Sequence, residues 1–333
     1  MIGTGGRSRF VVGNSLRALA AEPRNELRYY KPPSHTATQH PKATRCRAAR
    51  LTVLFVDNAK NAPLPWPNLM AEAFEIRDRL ARGGMADIFL AVDRNNEYIV
   101  IRRLRDEMAK NRATVKQFDW GNAVTAKLKH PNIVRFLMEG RSGKLPWVAL
   151  EYIDGPNLRE LILHDFDTVK KHMMRILLGM AEALNHVHEQ GYLHLDYKPE
   201  NILVPRDFVV RLIDFDLAIR RTDDLIKVKK IAGTPAYLSP ELLQKKMVDE
   251  RSDIFSFGVA AYELLTGKKP ILGDSAQQVF QSHASNEEIR HPREFNKDIP
   301  LKLDHFIMQC LARDINRRYP IMSLVIRDLR SCE

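Results

Sequence analysis

Cysteines and long apolar runs are scarce in this chain of 333 residues. The longest near-continuous apolar stretch, Phe257 to Leu265, is about half as long as a membrane-spanning helix, and Glu263 interrupts it. The three cysteines, Cys46, Cys310 and Cys332, lie far apart and show no C-x-x-C spacing. The sequence therefore predicts no membrane span and no cysteine zinc site, and it favours a reducing, cytoplasmic compartment.

Glycine and proline are modest in number, at 16 and 18, while 44% of the residues are hydrophobic and 28% are charged. This composition excludes a collagen-like chain and a wholly disordered one, and it is sufficient for a substantial core. The length is about twice the ~150 residues typical of one domain. One large domain, two lobes, or a domain with a tail therefore remain open.

The positive charge is concentrated at the start of the chain. The net charge is +11, but residues 1–70 hold 11 Lys and Arg against 3 Asp and Glu, which leaves 41 against 38 for residues 71–333. Aromatic residues are few in the basic segment: besides the adjacent Tyr29 and Tyr30 it has only Phe10, Phe55 and Trp66, with no regular interleaving among the basic residues. Both observations argue against nucleic acid as the ligand.

Residues 1–70 differ in character from the rest of the chain. Met1 to Ala21 contains no acidic residue, Pro23 to Pro67 is punctuated by prolines, and only Leu51 to Val56 resembles a strand. We predict a basic, disordered extension that is dispensable for folding. A targeting or docking arm, or a true start of the protein at Met70, are the alternatives.

The next part of the chain has the patterning of β-strands. Two strand-like runs, Phe74 to Leu80 and Asp87 to Asp93, flank a turn that contains glycine, and Glu97 to Leu104 forms a third run. A helical stretch near Arg112 to Lys129 follows, and then an apolar run from Trp147 to Ile153. These patterns predict a small β-rich lobe.

Beyond Asp154 the pattern changes to helical. Apolar residues recur at spacings of three and four in Leu158 to Leu163 and in Val169 to Gln190. We therefore predict an α+β fold with two lobes, the first at residues 71–153 and the larger, helical one at residues 154–333. The short link between them is a natural place for a ligand-binding cleft.

The most informative segment follows the long predicted helix. It reads H-L-D-Y-K-P-E-N at residues 194–201, and D-F-D follows at residues 214–216 between two apolar runs. An aspartate with a lysine two residues on, an asparagine five residues on and a second isolated aspartate form a set suited to phosphoryl transfer. In that chemistry Asp196 orients a hydroxyl, Lys198 offsets charge, and Asn201 with Asp214 holds Mg²⁺.

The octet resembles the catalytic loop of protein kinases, whose pattern is H-R-D-x-K-P-x-N. The resemblance extends over about four fifths of the chain, through A-R-G-G-M-A at residues 81–86, I-V-I-R at residues 99–102 and G-T-P at residues 233–235. Lys198 and G-T-P are similar to the serine/threonine branch, and the glycine-rich segment resembles that of bacterial-type enzymes. The resemblance implies a two-lobed kinase fold, ATP and Mg²⁺ as cofactors, and a protein substrate or regulatory protein partner.

The resemblance also implies positions for the nucleotide and the substrate. Candidate nucleotide-binding residues are Leu80, Gly83, Gly84, Ile88, Val100, Arg102, Leu150, Glu151, Ile153 and Asp154. Candidate residues of the activation segment and the substrate side are Thr222, Thr234, Glu241 and Arg318, with Arg318 placed to pair with Glu241. Asp253 lies where the family has a buried aspartate that braces the catalytic loop, and His194 is expected to pack under Phe215.

Several departures from the family pattern lie on the nucleotide side. Ala81 and Ala86 replace two loop glycines, and Val100 replaces a small alanine, so each is expected to crowd the nucleotide. Leu195 replaces the arginine that in many relatives receives a phosphate on the activation segment. Magnesium nucleotide is therefore expected to bind weakly, and phosphorylation at Thr222 is not expected to activate the protein.

The largest departure concerns an ion pair. Arg102 replaces the lysine of the third strand, the family spacing places Gly121 where a glutamate should pair with it, and Asp216 replaces a glycine. Both halves of the family's ion pair are thus expected to be lost, and the joint change of Arg102→Lys and Gly121→Glu is expected to restore it. Arg102, or else Arg82 or Arg103, would then serve as the cation on the phosphates.

Two functions remain open from the sequence. The retained catalytic set predicts an atypical or weak serine/threonine protein kinase that transfers the ATP γ-phosphoryl group. The departures favour the alternative, a pseudokinase that acts as an ATP-binding or protein-binding regulatory module.

Overall fold

A computed structural model describes residues 73–332, except residues 223–224, 229–231, 245–246, 272, 274 and 286–287. The predicted extension at residues 1–70, including its strand-like run, lies outside the described residues and stays a prediction. Within the described part, no helix is both long enough and apolar enough to cross a membrane.

The small lobe is a five-stranded antiparallel sheet with one helix. Its strands are β1 (Phe74–Arg82), β2 (Ala86–Asp93), β3 (Tyr98–Leu104), β4 (Phe136–Ser142) and β5 (Leu145–Glu151), in the order β1-β2-β3-β5-β4. Its helix is α1 (Arg112–Thr125), which the side chain of Asn111 caps by accepting from the backbone N–H groups of Ala113 and Thr114. A 3₁₀ turn, Asp106–Met108, precedes this helix.

Two buried clusters fix the sheet. One contains Phe74, Phe89, Ile101 and Trp147, and the other contains Ala86, Leu104, Phe118 and Val148. Strand alternation sends neighbouring residues to opposite faces, so β3 contributes Ile101 to the first cluster and Leu104 to the second. The same strand carries Arg102 opposite Ile88 and Val148 in the pairing register.

The large lobe is mainly helical. Its helices are α2 (Leu158–His164), α3 (Phe166–Glu189), α4 (Pro240–Leu243), α5 (Glu250–Thr266), α6 (Ala276–Ala284), α7 (Pro292–Phe295), α8 (Leu301–Cys310) and α9 (Met322–Arg330). Short strands pair as β6 (Tyr192–Leu193) with β9 (Ile219–Arg220), β7 (Ile202–Leu203) with β8 (Arg211–Leu212), and β10 (Ile226–Lys227) with β11 (Met247–Val248). Among the described residues of this lobe, 3₁₀ turns occur at Pro199–Asn201, Pro235–Tyr237 and Ile315–Arg317.

Helices α3 and α5 form the centre of the large lobe. From Ser252 to Leu265 every residue of α5 is buried, including the polar residues Ser252, Asp253, Ser256 and Glu263, so this stretch of the helix has no solvent-facing side. The helix ends at Gly267, whose φ of +68° is the left-handed conformation that glycine adopts without a steric cost. The predicted two-lobed α+β fold is confirmed, whereas the sequence analysis predicted neither β4 nor the short strands β6 to β11.

Candidate active site

The catalytic loop is held by a buried carboxylate on α5. Asp253 accepts the backbone N–H groups of His194 at 2.7 Å and Leu195 at 2.8 Å, and His188 Nε2 lies 2.9 Å from it. Burial opposes ionisation of Asp253, but these hydrogen bonds and the nearby imidazoles outweigh it and lower the pKa of the carboxyl. The brace matters because Leu195 has a φ of +59°, a conformation that costs a leucine roughly 1 kcal/mol.

The loop brings three predicted catalytic residues together. Lys198 Nζ lies 2.8 Å from Asp196 Oδ2 and 2.8 Å from Thr234 Oγ1. The backbone N–H of Thr234 donates to Asp196 Oδ1 at 3.1 Å, and the Asn201 amide donates to the backbone carbonyl of Asp196 at 2.9 Å. Asp196 is therefore oriented from both sides, by the loop that carries it and by the activation segment.

The residues predicted to hold magnesium have the right donor chemistry. Asn201 uses its amide nitrogen on Asp196, and no described residue donates to its Oδ1. The backbone N–H of Asp216 donates to Asp214 Oδ1, whereas no described residue donates to Asp214 Oδ2. Burial raises the pKa of Asp214, but Arg102 and that backbone N–H outweigh burial and lower it. A free amide oxygen and an ionised carboxylate suit a hard cation such as Mg²⁺.

Arg102 has a carboxylate partner that the sequence analysis missed. Its Nη1 donates to Asp216 Oδ1 at 2.9 Å, its Nη2 donates to Asp216 Oδ2, and Asp214 Oδ1 lies 3.6 Å from Nη2. Burial lowers the pKa of Arg102, but the two carboxylates outweigh it, so the pKa is raised. Burial, with the charge of Asp214, outweighs Arg102 and raises the pKa of Asp216 to about 6. Helix α1 thus supplies no acid to Arg102, and a carboxylate from the segment after Asp214 pairs with it instead.

Gly121 explains how Asp216 reaches this position. A Cβ atom on Gly121 would lie 2.3 Å from Asp216 Oδ1 and 3.0 Å from Asp216 Cα. The absence of a side chain on α1 thus makes the space that the aspartate occupies. The sequence did contain a signal for this arrangement. Asp216 stands where the family has a glycine, and Gly121 stands where the family has an acid.

The two alternative cations pair with other acids of the small lobe. Arg82 donates to Glu107 at 2.7 Å, and Arg103 is buried beside Asp106. Asp119, an acidic neighbour of Gly121 on α1, pairs with Arg141 at 2.6 Å. Of the three candidate arginines, Arg102, whose guanidinium lies 3.6 Å from the candidate metal ligand Asp214, is the cation nearest to the predicted phosphate site.

The predicted walls of the nucleotide cleft are partly exposed. Five apolar side chains are neither fully buried nor fully open, as befits the lining of a cleft: Leu80, Ile88, Val100, Leu150 and Ile153. Val100 lies opposite Leu150 in the register of β3 and β5. Asp154 is exposed, whereas the carboxylate of Glu151 accepts the backbone N–H of Arg135 at 2.9 Å.

The glycine-rich turn between β1 and β2 is tied down by a residue that was not predicted. Arg105 donates to the carbonyls of Gly83 at 3.1 Å and Gly84 at 3.3 Å, and Glu107 accepts from Arg105 at 3.2 Å. Ala86 is 5% exposed and belongs to the cluster of Leu104 and Phe118. The expectation that Ala86 crowds the nucleotide is therefore wrong, because its methyl group already packs within the lobe.

The substrate side contains the expected buried ion pair. Arg318 donates to both carboxylate oxygens of Glu241, at 2.7 and 2.9 Å, and the hydroxyl of Ser252 donates to the same carboxylate. Burial opposes ionisation, but these donors lower the pKa of Glu241. This pair joins the end of the activation segment to the helical core. His194 also packs edge to face on Phe215, with ring centroids 5.2 Å apart.

The start of the activation segment is anchored as well. The guanidinium of Arg220 lies 5.9 Å from the ring of Trp120 and 6.0 Å from that of Tyr192, and Arg221 pairs with Glu250 at 2.7 Å. Thr222 follows directly after these two arginines and is exposed. Both arginines therefore already have partners in the fold.

Comparison with known proteins agrees with this geometry. The family model described as "Protein kinase domain" matches residues 74–328. Similar curated proteins are the serine/threonine-protein kinases PknB of Mycolicibacterium smegmatis, 31% identical over 271 residues, and of Mycobacterium leprae, 32% identical over 270 residues. A probable serine/threonine-protein kinase of Streptomyces coelicolor is 31% identical over 274 residues.

These alignments cover 79%, 79% and 80% of this chain but only 43%, 43% and 41% of the respective relatives. The chain thus spans less than half the length of the curated relatives it matches. The matched region contains both lobes, the catalytic loop and the activation segment. The chain belongs to the protein kinase family, and its likeness is to the serine/threonine protein kinases.

Proposed function

We propose that the protein transfers the γ-phosphoryl group of ATP to serine or threonine hydroxyls of a protein substrate. The observation that carries the proposal is the contact of Lys198 Nζ with both Asp196 and Thr234, at 2.8 Å each. A cation held between the candidate base and the activation segment lies where charge develops as a hydroxyl attacks a phosphoryl group.

Each residue of the loop then has a defined task. Asp196 orients the substrate hydroxyl and accepts its proton, since its carboxylate is fixed by Thr234 and Asn201. Lys198 offsets negative charge on the transferring group. Asn201 and Asp214 would hold Mg²⁺, which when bound neutralises charge on the phosphates.

On the nucleotide side, Arg102 would contact the α and β phosphates, and the partly exposed apolar walls would enclose the adenine. Val100 opposite Leu150 narrows the slot relative to an alanine at that position, so we expect an affinity for ATP weaker than is usual in the family. The free thiols of Cys310 and Cys332 support a reducing, cytoplasmic compartment.

The test is incubation of the purified full chain with γ-labelled ATP and Mg²⁺, followed by phosphoamino acid analysis of the chain and of an added protein substrate. We expect label on serine or threonine, loss of label on removal of the metal, and no label with Asp196→Asn. Label confined to tyrosine, or no difference between the wild type and Asp196→Asn, would overturn the proposal.

A further inference from the structure

Three departures from the family pattern meet at one point in the cleft. Arg102 on β3 and Asp216, two residues after the candidate metal ligand Asp214, are joined by two parallel N–H to oxygen contacts. Gly121 on α1 faces the same carboxylate. One geometry therefore accounts for all three changes, which the sequence alone presents as separate losses.

The space at this point admits only one carboxylate. The 2.3 Å from an added Cβ on Gly121 to Asp216 Oδ1 is shorter than any ordinary contact, and the backbone of Asp216 is also close, with its nitrogen at 3.1 Å. A glutamate on α1 and an aspartate at position 216 cannot both be accommodated without movement of the helix. The acid that pairs with the cation of β3 therefore lies on the segment that carries Asp214 in this chain, whereas the family pattern has it on the helix.

We propose that Asp216 is the positioning residue that aims Arg102 at the α and β phosphates of ATP. This inference rests on the proposed function, because it assumes that the cleft binds ATP. A paired guanidinium fork is fixed in direction as well as in distance. The ring of Phe118 lies 4.9 Å from the guanidinium carbon, and Asp214 lies on another side. No described residue accepts from the Nε–H of Arg102, so that donor remains available to a phosphate oxygen.

In this arrangement the segment at residues 214–216, and not helix α1, holds the guanidinium of Arg102 in position. The link runs from β3 of the small lobe to the segment at residues 214–216 of the large lobe, so it joins the lobes directly. Helix α1 contributes space at Gly121 but no charge to this link. The position of α1 therefore affects the cation through packing and not through an ion pair.

The experiment is a double-mutant cycle on the full chain with Arg102→Met, Asp216→Asn and the double variant. Two quantities are measured for each: the Kd for Mg-ATP by calorimetric titration, and the midpoint of urea unfolding without nucleotide. Asp119→Asn is the matched control, since it removes an acid of α1 that pairs with Arg141 and not with Arg102. Neither measurement requires phosphate transfer, so the result is independent of whether the proposed activity is found.

We expect each single variant to weaken the Kd at least fivefold, and the double variant to lie within twofold of the weaker single variant, because the two residues act as a unit. The unfolding midpoints should show the same non-additivity, and Asp119→Asn should leave the Kd within twofold. Should Asp216→Asn fail to fold, a second cycle replaces the first. It compares the effect of Arg102→Lys on the Kd in the wild type with its effect in Asp216→Gly. Additive losses, an Asp216 variant with unchanged Kd, or a wild type that binds no Mg-ATP would overturn the proposal.

Discussion

Trp120 on α1 donates its indole N–H to the backbone carbonyl of Ala218, over 2.6 Å. This contact ties the helix of the small lobe to the start of the activation segment in the large lobe. The indole also packs edge to face on Tyr192, with ring centroids 6.2 Å apart. Since α1 provides no ion pair to Arg102, the hydrogen bond of Trp120 is a direct polar link between this helix and the activation segment.

The substitution Trp120→Phe should therefore loosen α1. It keeps an aromatic ring but leaves the carbonyl of the buried Ala218 without its donor, which should cost about 1–2 kcal/mol in the free energy of unfolding. Urea unfolding measures the loss, and hydrogen exchange should show faster exchange in α1. An unchanged exchange rate in α1 would mean that packing alone holds the helix.

A second prediction concerns Gly121. Gly121→Glu should destabilise the fold by about 2–3 kcal/mol, because its side chain collides with Asp216. The expectation that Arg102→Lys with Gly121→Glu restores the family's ion pair is therefore replaced: the double variant should lose stability. Addition of Asp216→Gly should recover most of the loss in thermal unfolding. Equal stability of Gly121→Glu and the wild type would show that α1 can move aside at little cost.

Introduction of charge at Thr222 should not act as a switch. A phosphate orders a loop only where cations are free to receive it, and Arg221 is already paired with Glu250 while Arg220 stacks on Trp120. Leu195, at the position of the receiving arginine, is buried and apolar. Thr222→Glu should change phosphate transfer by less than about threefold, with Thr222→Gln as the uncharged control. A tenfold rise specific to the glutamate would contradict this.

The buried His283 should make stability depend on pH. Burial, with the charges of Arg313 and Arg318, lowers the pKa of His283 to about 4, although Glu241 opposes the shift. Since the unfolded histidine titrates near its ordinary value, the unfolded state binds more protons between about pH 6.5 and 4, and stability falls as the pH falls through that range.

At pH 5 the protonation of His283 in the unfolded state should lower the free energy of unfolding by about 2 kcal/mol. The loss of unfolding free energy between pH 7 and pH 5 should therefore be smaller in His283→Gln than in the wild type. Other buried histidines, such as His194, contribute equally to both proteins. Identical pH slopes would show that His283 is protonated or solvated in the folded protein.

The parts of the site that the sequence predicted are those encoded locally. Asp196, Lys198 and Asn201 lie within one short loop, and their spacing alone indicates phosphoryl transfer. Helices α1, α2 and α3 and strands β1, β2, β3 and β5 followed from apolar patterning. Strand β4 was missed because F-L-M-E-G-R-S at residues 136–142 does not alternate cleanly between apolar and polar residues.

The parts that could not be predicted depend on distant residues meeting in space. Arg102 and Asp216 are 114 positions apart, so the sequence shows two unfavourable changes where the fold shows one contact. The placement of Ala86 depended on which neighbours cover its methyl group, which the glycine-loop comparison does not reveal. In both cases the comparison with a family pattern identified the position correctly and its consequence wrongly.

The most direct test of the account compares rates of phosphate transfer at saturating Mg-ATP. The proteins are the wild type, the triple variant Arg102→Lys, Gly121→Glu, Asp216→Gly, which carries the family's residues at all three positions, and each of these with Asp196→Asn. If Arg102 and Asp216 replace the family's ion pair, the wild type should transfer phosphate at a rate within about tenfold of the triple variant, and Asp196→Asn should abolish both. Transfer by the triple variant, with none by the wild type above its Asp196→Asn control, would contradict the account.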